Sequence, residues 1–527
     1  MKLLITIYRK MKNWRTFVVI VILLLVPFSM MNAQTPQNRI HFAGKDIFIS
    51  GLNIAWSSSS HYALDLGPSQ IDEGTFNTIF ETVHDFGGNV LRFWMHTNGK
   101  NTPAYGTNGY VTGPGSVAIR NMRQILDLAK QNNVGVILCL WTHNMLSQTQ
   151  LDTAELHRNA KLLKDTSYTN AYIRNALLPM VDSLKGNPAI VAWEIFNEPE
   201  GISNEYGWPG LDHVSMVSIQ RCVNLMAGAI HRADSNALIT SGAVTFQTLT
   251  DVISISKTSS SISPRLSMLP LSEQKRITSE FNALHMTNLT ASELEEYFTK
   301  ISLIANSNFY RDDRLIASGG DSAGILDFYS VHYYAQNGQS LSPFVHPASA
   351  WKLSKPIVAA EFYMQKTDNV EGLALYPTLY QTGYAGGMVW SWTDFGNPAT
   401  NSETDTWESL LDMSQNHPDD VLINLNTTSI HESGTVNSTV EKTNLYPNYP
   451  NPFNPITTIK FSIVQDGNVS LTVFDILGRK IVTLTDKYMK AGAYTLAFDA
   501  ARFASGVYFY RLETGKFISQ KKMVLLR

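Results

Sequence analysis

The stretch Asn187-Pro-Ala-Ile-Val-Ala-Trp-Glu-Ile-Phe-Asn-Glu-Pro-Glu200 decides how most of this chain is read. Its apolar run is interrupted only by Glu194, as expected of a strand buried on both faces. It ends in Asn197-Glu198-Pro199, where the proline closes the strand and leaves a carboxyl at its C-terminal end. Working outward from this strand at 190–196, similar runs lie at 47–53, 89–93 and 134–140, then at 237–241, 326–331, 356–360 and 387–391. Helical patterns separate them, clearest at 76–86, 117–132, 168–184 and 214–232. Strands alternating with helices over 39–425 predict an α/β fold, a (β/α)8 TIM barrel. A doubly wound open sheet is the alternative. No glycine-rich phosphate loop follows the first run, which counts against its nucleotide-binding forms.

Residues 251–321 are too long for one connection of such a barrel. They hold a Ser-rich stretch at 254–263 and a helical pattern at 292–306, and are expected to form an insertion at the barrel's edge. Residues 426–443, rich in Thr, Ser and Asn, read as a linker. Beyond it, alternating runs at 459–463, 469–475, 493–499 and 507–513 are separated by turn signals such as Asp466-Gly467 and Leu477-Gly478. Residues 444–527 are therefore expected to form a small all-β sandwich.

Composition narrows the classes. The formal net charge is −3 and no basic run lies beyond the N-terminus, so neither nucleic acid nor an anionic membrane is an expected partner. Charged residues make up 16% and aromatics 11%, which suits a neutral ligand such as a plain polysaccharide. At the N-terminus Lys2, Arg9, Lys10, Lys12 and Arg15 precede an apolar run from Phe17 to Phe28, with Ala33 before a plausible cut. That run is shorter than a bilayer span, so 1–33 reads as a cleaved export signal. The 2 cysteines, Cys139 and Cys222, read as buried free thiols. No Cys/His spacing suggests zinc, and neither metal nor cofactor is expected.

In a barrel, residues at the C-terminal strand ends share one mouth. Glu198 ends one strand there, and Glu361 ends another in Pro356-Ile-Val-Ala-Ala-Glu361. Two carboxyls on opposite walls suit acetal cleavage. One protonates the leaving oxygen, and the other attacks the anomeric carbon or activates water.

Further strand ends carry Arg92 in Asn89-Val-Leu-Arg-Phe-Trp94, His143 in Leu140-Trp-Thr-His143, and His332 and Tyr334 in Val331-His-Tyr-Tyr334. Trp390 or Trp392 ends the last, in Met388-Val-Trp-Ser-Trp392. With these in order, 39–425 resembles glycoside hydrolase family 5, whose barrels are retaining enzymes of the cellulase and β-mannanase type. The resemblance implies Glu198 as acid/base and Glu361 as nucleophile. It implies that Arg92 holds Glu361 ionised, that Asn197 meets the sugar 2-hydroxyl, and that Tyr334 donates to the nucleophile. His143 and His332 would orient substrate and Glu198, and the terminal tryptophan would floor the −1 sugar. Glu198 must carry a proton when substrate binds, so an apolar setting is expected around it. Glu194 reads as a supporting residue and Glu200 as a rim residue. Trp94, Trp141, Trp208 and Trp407 are divided evenly between sugar platforms and packing.

Phe93-Trp-Met-His-Thr-Asn-Gly99 with Val389-Trp-Ser-Trp392 resembles the mannanase branch, so mannan or glucomannan is the favoured substrate of an endo-acting enzyme. The alternatives are an endo-β-1,4-glucanase, another β-glycosidase of the family or, more distantly, a non-catalytic carbohydrate-binding protein. The C-terminal segment has its own resemblance. Its Tyr-Pro-Asn-Pro-Phe-Asn-Pro opening, Phe474-Asp-Ile-Leu-Gly-Arg479, Ala504-Ser-Gly-Val-Tyr-Phe509 and Lys521-Lys-Met-Val-Leu-Leu-Arg527 are similar to the type IX secretion sorting domain. That implies an outer-membrane secretion machinery as partner and a secreted or cell-surface product. A carbohydrate-binding sandwich is the alternative there, but no tryptophan follows Tyr446 to stack on sugar.

Overall fold

The computed structural model describes residues 38–55, 71–252, 266–285, 287–302, 304–392, 404–426, 443–446, 448, 451, 453, 456–500 and 503–526. The expected export signal, the Ser-rich stretch and almost all of the linker lie outside the described residues. The chain divides into two compact units, Met1–Thr427 and Thr428–Arg527. Among the described residues, no helix is long and apolar enough to cross a membrane.

In the first unit eight parallel strands close into a barrel. They are β1 (Ile49–Ile54), β2 (Val90–Thr97), β3 (Gly135–Thr142), β4 (Ile190–Asn197), β5 (Ile239–Ala243), β6 (Tyr329–His332), β7 (Ile357–Glu361) and β8 (Gly386–Val389). Closure comes from β8 pairing with β1 through Gly386↔Ile49 to Val389↔Leu52, which excludes the open sheet. Every residue of β2 and β3 is buried, so helices cover one side and barrel side chains the other. The helix Ala118–Gln131 shows how the cover forms: Ala118, Met122, Ile125, Leu126 and Ala129 recur at helical spacing and are all buried. The pattern at 168–184 becomes the helix Thr166–Tyr172, a π turn Ile173–Leu177 and the helix Leu178–Leu184. Pro179 lacks the N–H for an α-type bond, and the wider turn lies just before it.

The segment between β5 and β6 contains the helices Leu271–His285, Ala291–Ser302 and Asp312–Gly319. The last packs along the helix Met216–Ala233. There Asn224 Nδ2 donates to the carbonyls of Asp321 and Gly324, both at 2.8 Å, and Gln220 Nε2 donates to that of Phe309 at 2.7 Å. It therefore fills the place of an ordinary barrel helix, and the inserted part is shorter than 251–321.

The second unit has two antiparallel sheets. One joins Asn444–Leu445, β9 (Ile456–Ile463) and β12 (Gly492–Asp499). The other runs β11 (Lys480–Met489), β10 (Gly467–Asp475), β13 (Gly506–Thr514), β14 (Phe517–Leu525). Ile459 and Phe461 of the first sheet share one core with Val473, Tyr510 and Met523 of the second, as in a sandwich. Strands β11 and β14 were not read from the sequence. Both are edge strands, where lysines and threonines blur the alternation.

Near the C-terminal end of β2, His96 is wholly buried against the Trp141 and Tyr172 rings. Its Nδ1 lies 2.9 Å from Thr102 Oγ1 and its Nε2 lies 3.1 Å from Tyr172 OH. Burial pushes its pKa down from 6.5 to about 3. The unfolded chain then binds the extra proton between those values, so this stability is present above the unfolded pKa of 6.5 and lost as pH falls toward 3. The slope from this group is about 1.4 kcal/mol per pH unit. Urea unfolding from pH 7 to 4 should give a shallower stability loss in His96→Gln than in the parent. Parallel slopes would show that His96 titrates normally.

Candidate active site

Strand β2 carries Arg92 into the barrel, where its side chain is wholly buried. Nε donates to Glu194 Oε2 at 2.8 Å, and Nη2 donates to Glu194 Oε1. Nη1 donates to Glu361 Oε1 at 2.6 Å and Asn53 Oδ1 at 3.0 Å, while Nη2 also reaches Asn197 Oδ1 at 2.6 Å. The Trp94 ring lies 4.3 Å from the guanidinium carbon. Burial opposes the charge, yet the Glu194 and Glu361 carboxylates push the Arg92 pKa up, so the cation persists. A buried charge of this kind is tolerated because its donors are met in the geometry a planar fork requires.

Glu194 and Asn197 both meet Arg92, although residues three apart on a regular strand face opposite sides. The register of β4 against β5 shifts between them, and that irregularity turns Asn197 inward. Glu198 then takes φ +49, ψ 49, a left-handed conformation that costs a non-glycine residue about 1–3 kcal/mol. Its N–H is held by the Gly242 carbonyl at 2.8 Å, and its own carbonyl accepts from the Gly201 N–H at 3.1 Å. The Asn-Glu-Pro turn thus aims Glu198 across the mouth while its backbone stays bonded.

Opposite, the register of β6 against β7 shifts between Val331 and His332 and sets His332 beside Glu361. His332 Nδ1 lies 2.8 Å from Glu198 Oε1 and 3.3 Å from Glu361 Oε2. Tyr334 OH donates to Glu361 Oε2 at 2.8 Å. Ligand atoms of Glu198, His332 and Glu361 all lie within 4.8 Å of one another. Burial pushes the Glu361 pKa up, and so does the Glu198 charge. His332, Arg92 and the Tyr334 hydroxyl pull it back. Two carboxyls this close and dry share one negative charge more readily than they carry two.

The aromatic residues separate. His143 is buried with Nδ1 3.6 Å from Glu198 Oε2 and its ring edge-on to Trp208. Trp390 is partly exposed and packs edge-on to Trp94, centroids 5.8 Å apart, beside the Arg92 cluster. Trp392 turns the other way, into the main core against Trp407. Of the two, Trp390 is the one that packs beside the Arg92 cluster. Trp94, Trp141, Trp208 and Trp407 are all buried, which is the packing alternative. Cys139 and Cys222 are free and buried.

Glu200 corrects the rim reading, since it is fully buried. Tyr310 OH donates to its Oε1 at 2.6 Å and the Val244 N–H to its Oε2 at 3.1 Å. Burial raises its pKa, with the Tyr310 bond opposing. Asn53 and Gly242 were not singled out in the sequence. Asn53 has a signal, a polar residue ending an apolar run; Gly242 has none without the fold. A Cβ at Gly242 would lie 2.7 Å from Glu194 Oε1, 2.9 Å from Arg92 Nη2 and 3.0 Å from His332 Nε2.

Comparison with known proteins agrees with this fold. The model of the Cellulase family, glycosyl hydrolase family 5, matches residues 49–423. The model of the secretion system C-terminal sorting domain matches 448–526. A mannan endo-1,4-beta-mannosidase of Mytilus edulis is 30% identical over 379 residues, covering 68% of this chain and 86% of the relative. The endo-1,4-beta-mannanase structure from Eisenia fetida superposes with a TM-score of 0.56 at 27% identity, over 73% of this chain and 97% of that one. The beta-1,4-mannanase of the sea hare Aplysia kurodai gives 0.57 at 27%, over 73% and 98%. A closed barrel with paired carboxyls at its mouth is the framework of a glycosidase. This chain belongs to glycosyl hydrolase family 5 and carries a C-terminal secretion sorting domain.

Gly242→Ala tests whether the buried ion cluster tolerates displacement. The added methyl should separate Arg92 from Glu194, destabilise the barrel by about 3 kcal/mol and remove most hydrolytic activity. Thermal unfolding with a glycosidase assay checks both. A parent-like melting temperature and rate would show the cluster is loosely packed.

Proposed function

We propose that this enzyme is an endo-acting β-1,4-mannanase working by double displacement with retention, Glu361 the nucleophile and Glu198 the acid/base. The observation that carries the reading is the approach of the two carboxyls to within 4.8 Å. Retaining enzymes hold their carboxyls about 5–5.5 Å apart, inverting ones roughly 6.5–9.5 Å. Arg92 and Tyr334 bond Glu361 and favour its carboxylate. The single proton of the pair then rests on Glu198, beside His332.

Each step follows from that placement. The Glu361 carboxylate attacks the anomeric carbon as Glu198 gives its proton to the glycosidic oxygen, and the bond to the leaving chain breaks. A glycosyl ester on Glu361 remains. Glu198, now a carboxylate, takes a proton from water as its oxygen attacks the same carbon from the vacated face. Glu361 leaves as a carboxylate and Glu198 is again protonated. In this reading Asn197, bonded to Arg92, meets the sugar 2-hydroxyl, and Trp390 floors the −1 sugar ring. Mannan as substrate draws its support from the relatives named above. Residues 1–33 serve as the export signal in this reading. The C-terminal unit then engages the outer-membrane secretion machinery, giving a secreted or cell-surface enzyme.

Purified protein should release oligosaccharides from mannan and glucomannan faster than from cellulose, xyloglucan or xylan. A preference for cellulose would move the assignment to the glucanase branch. Glu361→Ala should be nearly inert on polysaccharide and aryl glycoside alike, with azide giving an inverted product. Glu198→Ala should still cleave an activated aryl glycoside and, with azide, give a product of retained configuration. The opposite azide stereochemistry would exchange the two roles.

A further inference from the structure

The inserted segment between β5 and β6 reaches Glu198 through a relay of side chains. Tyr297 stands on the inserted helix Ala291–Ser302 and is buried. Its hydroxyl accepts a hydrogen bond from Trp208 Nε1 at 2.6 Å. The Trp208 ring meets His143 edge-on, centroids 4.7 Å apart at 68°. His143 Nδ1 lies 3.6 Å from Glu198 Oε2. Phe281, on the other inserted helix, packs against both the Trp208 and Tyr297 rings. Trp208 is seated from behind as well. Its backbone N–H donates to the Gly201 carbonyl at 2.8 Å, and a Cβ at Gly201 would strike the indole at 2.7 Å. Burial raises the Tyr297 pKa, and the charges of Glu198 and Glu200 add to it, so the phenol lies within electrostatic reach of both.

The insertion is also tied down where it returns. The Ser307 and Phe309 N–H groups donate to the carbonyls of Gln247 and Thr248, each at 3.0 Å. Tyr310 OH then holds Glu200, two residues beyond Glu198. The segment is thereby anchored at Trp208, at Glu200 and at Gln247–Thr248.

We propose that Tyr297 is a positioning residue for the acid/base, and that the inserted helix fixes the placement of Glu198 through Trp208 and His143. The proposal rests on the acid/base reading of Glu198 given above. A general acid works only when its proton lies within hydrogen-bond reach of the leaving oxygen, and small displacements cost large factors in rate. Removing the Tyr297 hydroxyl frees the indole N–H, lets Trp208 turn and loosens His143 against the carboxyl. The loss then falls on bonds whose cleavage needs a proton.

The test uses full-length protein with Tyr297→Phe, Trp208→Phe and their double variant, beside Glu198→Ala. The value of kcat/KM, which reports glycosylation, is measured on mannan and on aryl β-mannobiosides with good and poor leaving groups. Tyr297→Phe keeps the ring and its packing. It should lose about 5- to 50-fold on mannan and on poor leaving groups, and less than about threefold on a dinitrophenyl leaving group. Trp208→Phe should show the same selectivity, and the double variant should be no worse than the weaker single one. If Tyr297→Phe fails to fold, the selectivity of Trp208→Phe decides. Equal losses on all leaving groups, or a parent-like rate on mannan, would overturn the proposal while Glu198→Ala still behaves as an acid/base deletion. Parent-like hydrolysis of mannan by Glu198→Ala would instead remove the reading on which the proposal stands.

Discussion

The Arg92 guanidinium, shut away from solvent inside the barrel, needs two carboxylates and two amide oxygens around it, and the mouth is arranged to supply them. Glu194 takes most of its charge through a two-point fork. That leaves Nη1 for Glu361 and Asn53 and a further Nη2 bond for Asn197, so the Glu361 carboxyl and the Asn197 amide are placed by the same cation. The constraint spreads outward. Residue 242 must lack a side chain, because a Cβ there would enter the cluster. Strand β4 must depart from regular register for both Glu194 and Asn197 to reach inward. Glu198 is then turned into a left-handed conformation that only its bonded surroundings make tolerable.

Electrostatics at the mouth follows from where each donor points. Arg92 and the Tyr334 hydroxyl both address Glu361, whereas Glu198 has imidazoles for neighbours, His332 near one oxygen and His143 near the other. Burial raises the energy of a second negative charge on the pair, and the donors are distributed unequally between the two carboxyls. The two carboxyls are in this way distinguished by their neighbours alone.

The eight barrel strands were legible because continuous apolar runs broken by helical patterns leave few other folds. That Glu198 and Glu361 would meet at one mouth was legible because each ends such a run. Local register was not. Nothing in Glu194-Ile-Phe-Asn197 announces a shift that turns Asn197 inward, since the shift is settled by pairing with β5, far away in sequence. Trp390 and Trp392 were indistinguishable as letters, and only packing sends Trp392 against Trp407. Glu200 looked like a rim residue because its partner, Tyr310, lies beyond a long insertion. The insertion was visible as excess length, while its contact with Trp208 required the fold. In the sandwich, β11 and β14 escaped notice because edge strands carry the polar residues that hide a strand's alternation.

The account stands on the carboxyl pair acting by double displacement, and the configuration of the newly released product measures that most directly. Proton NMR of a mannooligosaccharide digest in its first minutes, before mutarotation mixes the anomers, reads it from the reducing-end resonances. The geometry of Glu198 and Glu361 predicts that the β anomer appears first and the α anomer grows in later. Initial release of the α anomer would mean single displacement by water, which contradicts the roles assigned to both glutamates.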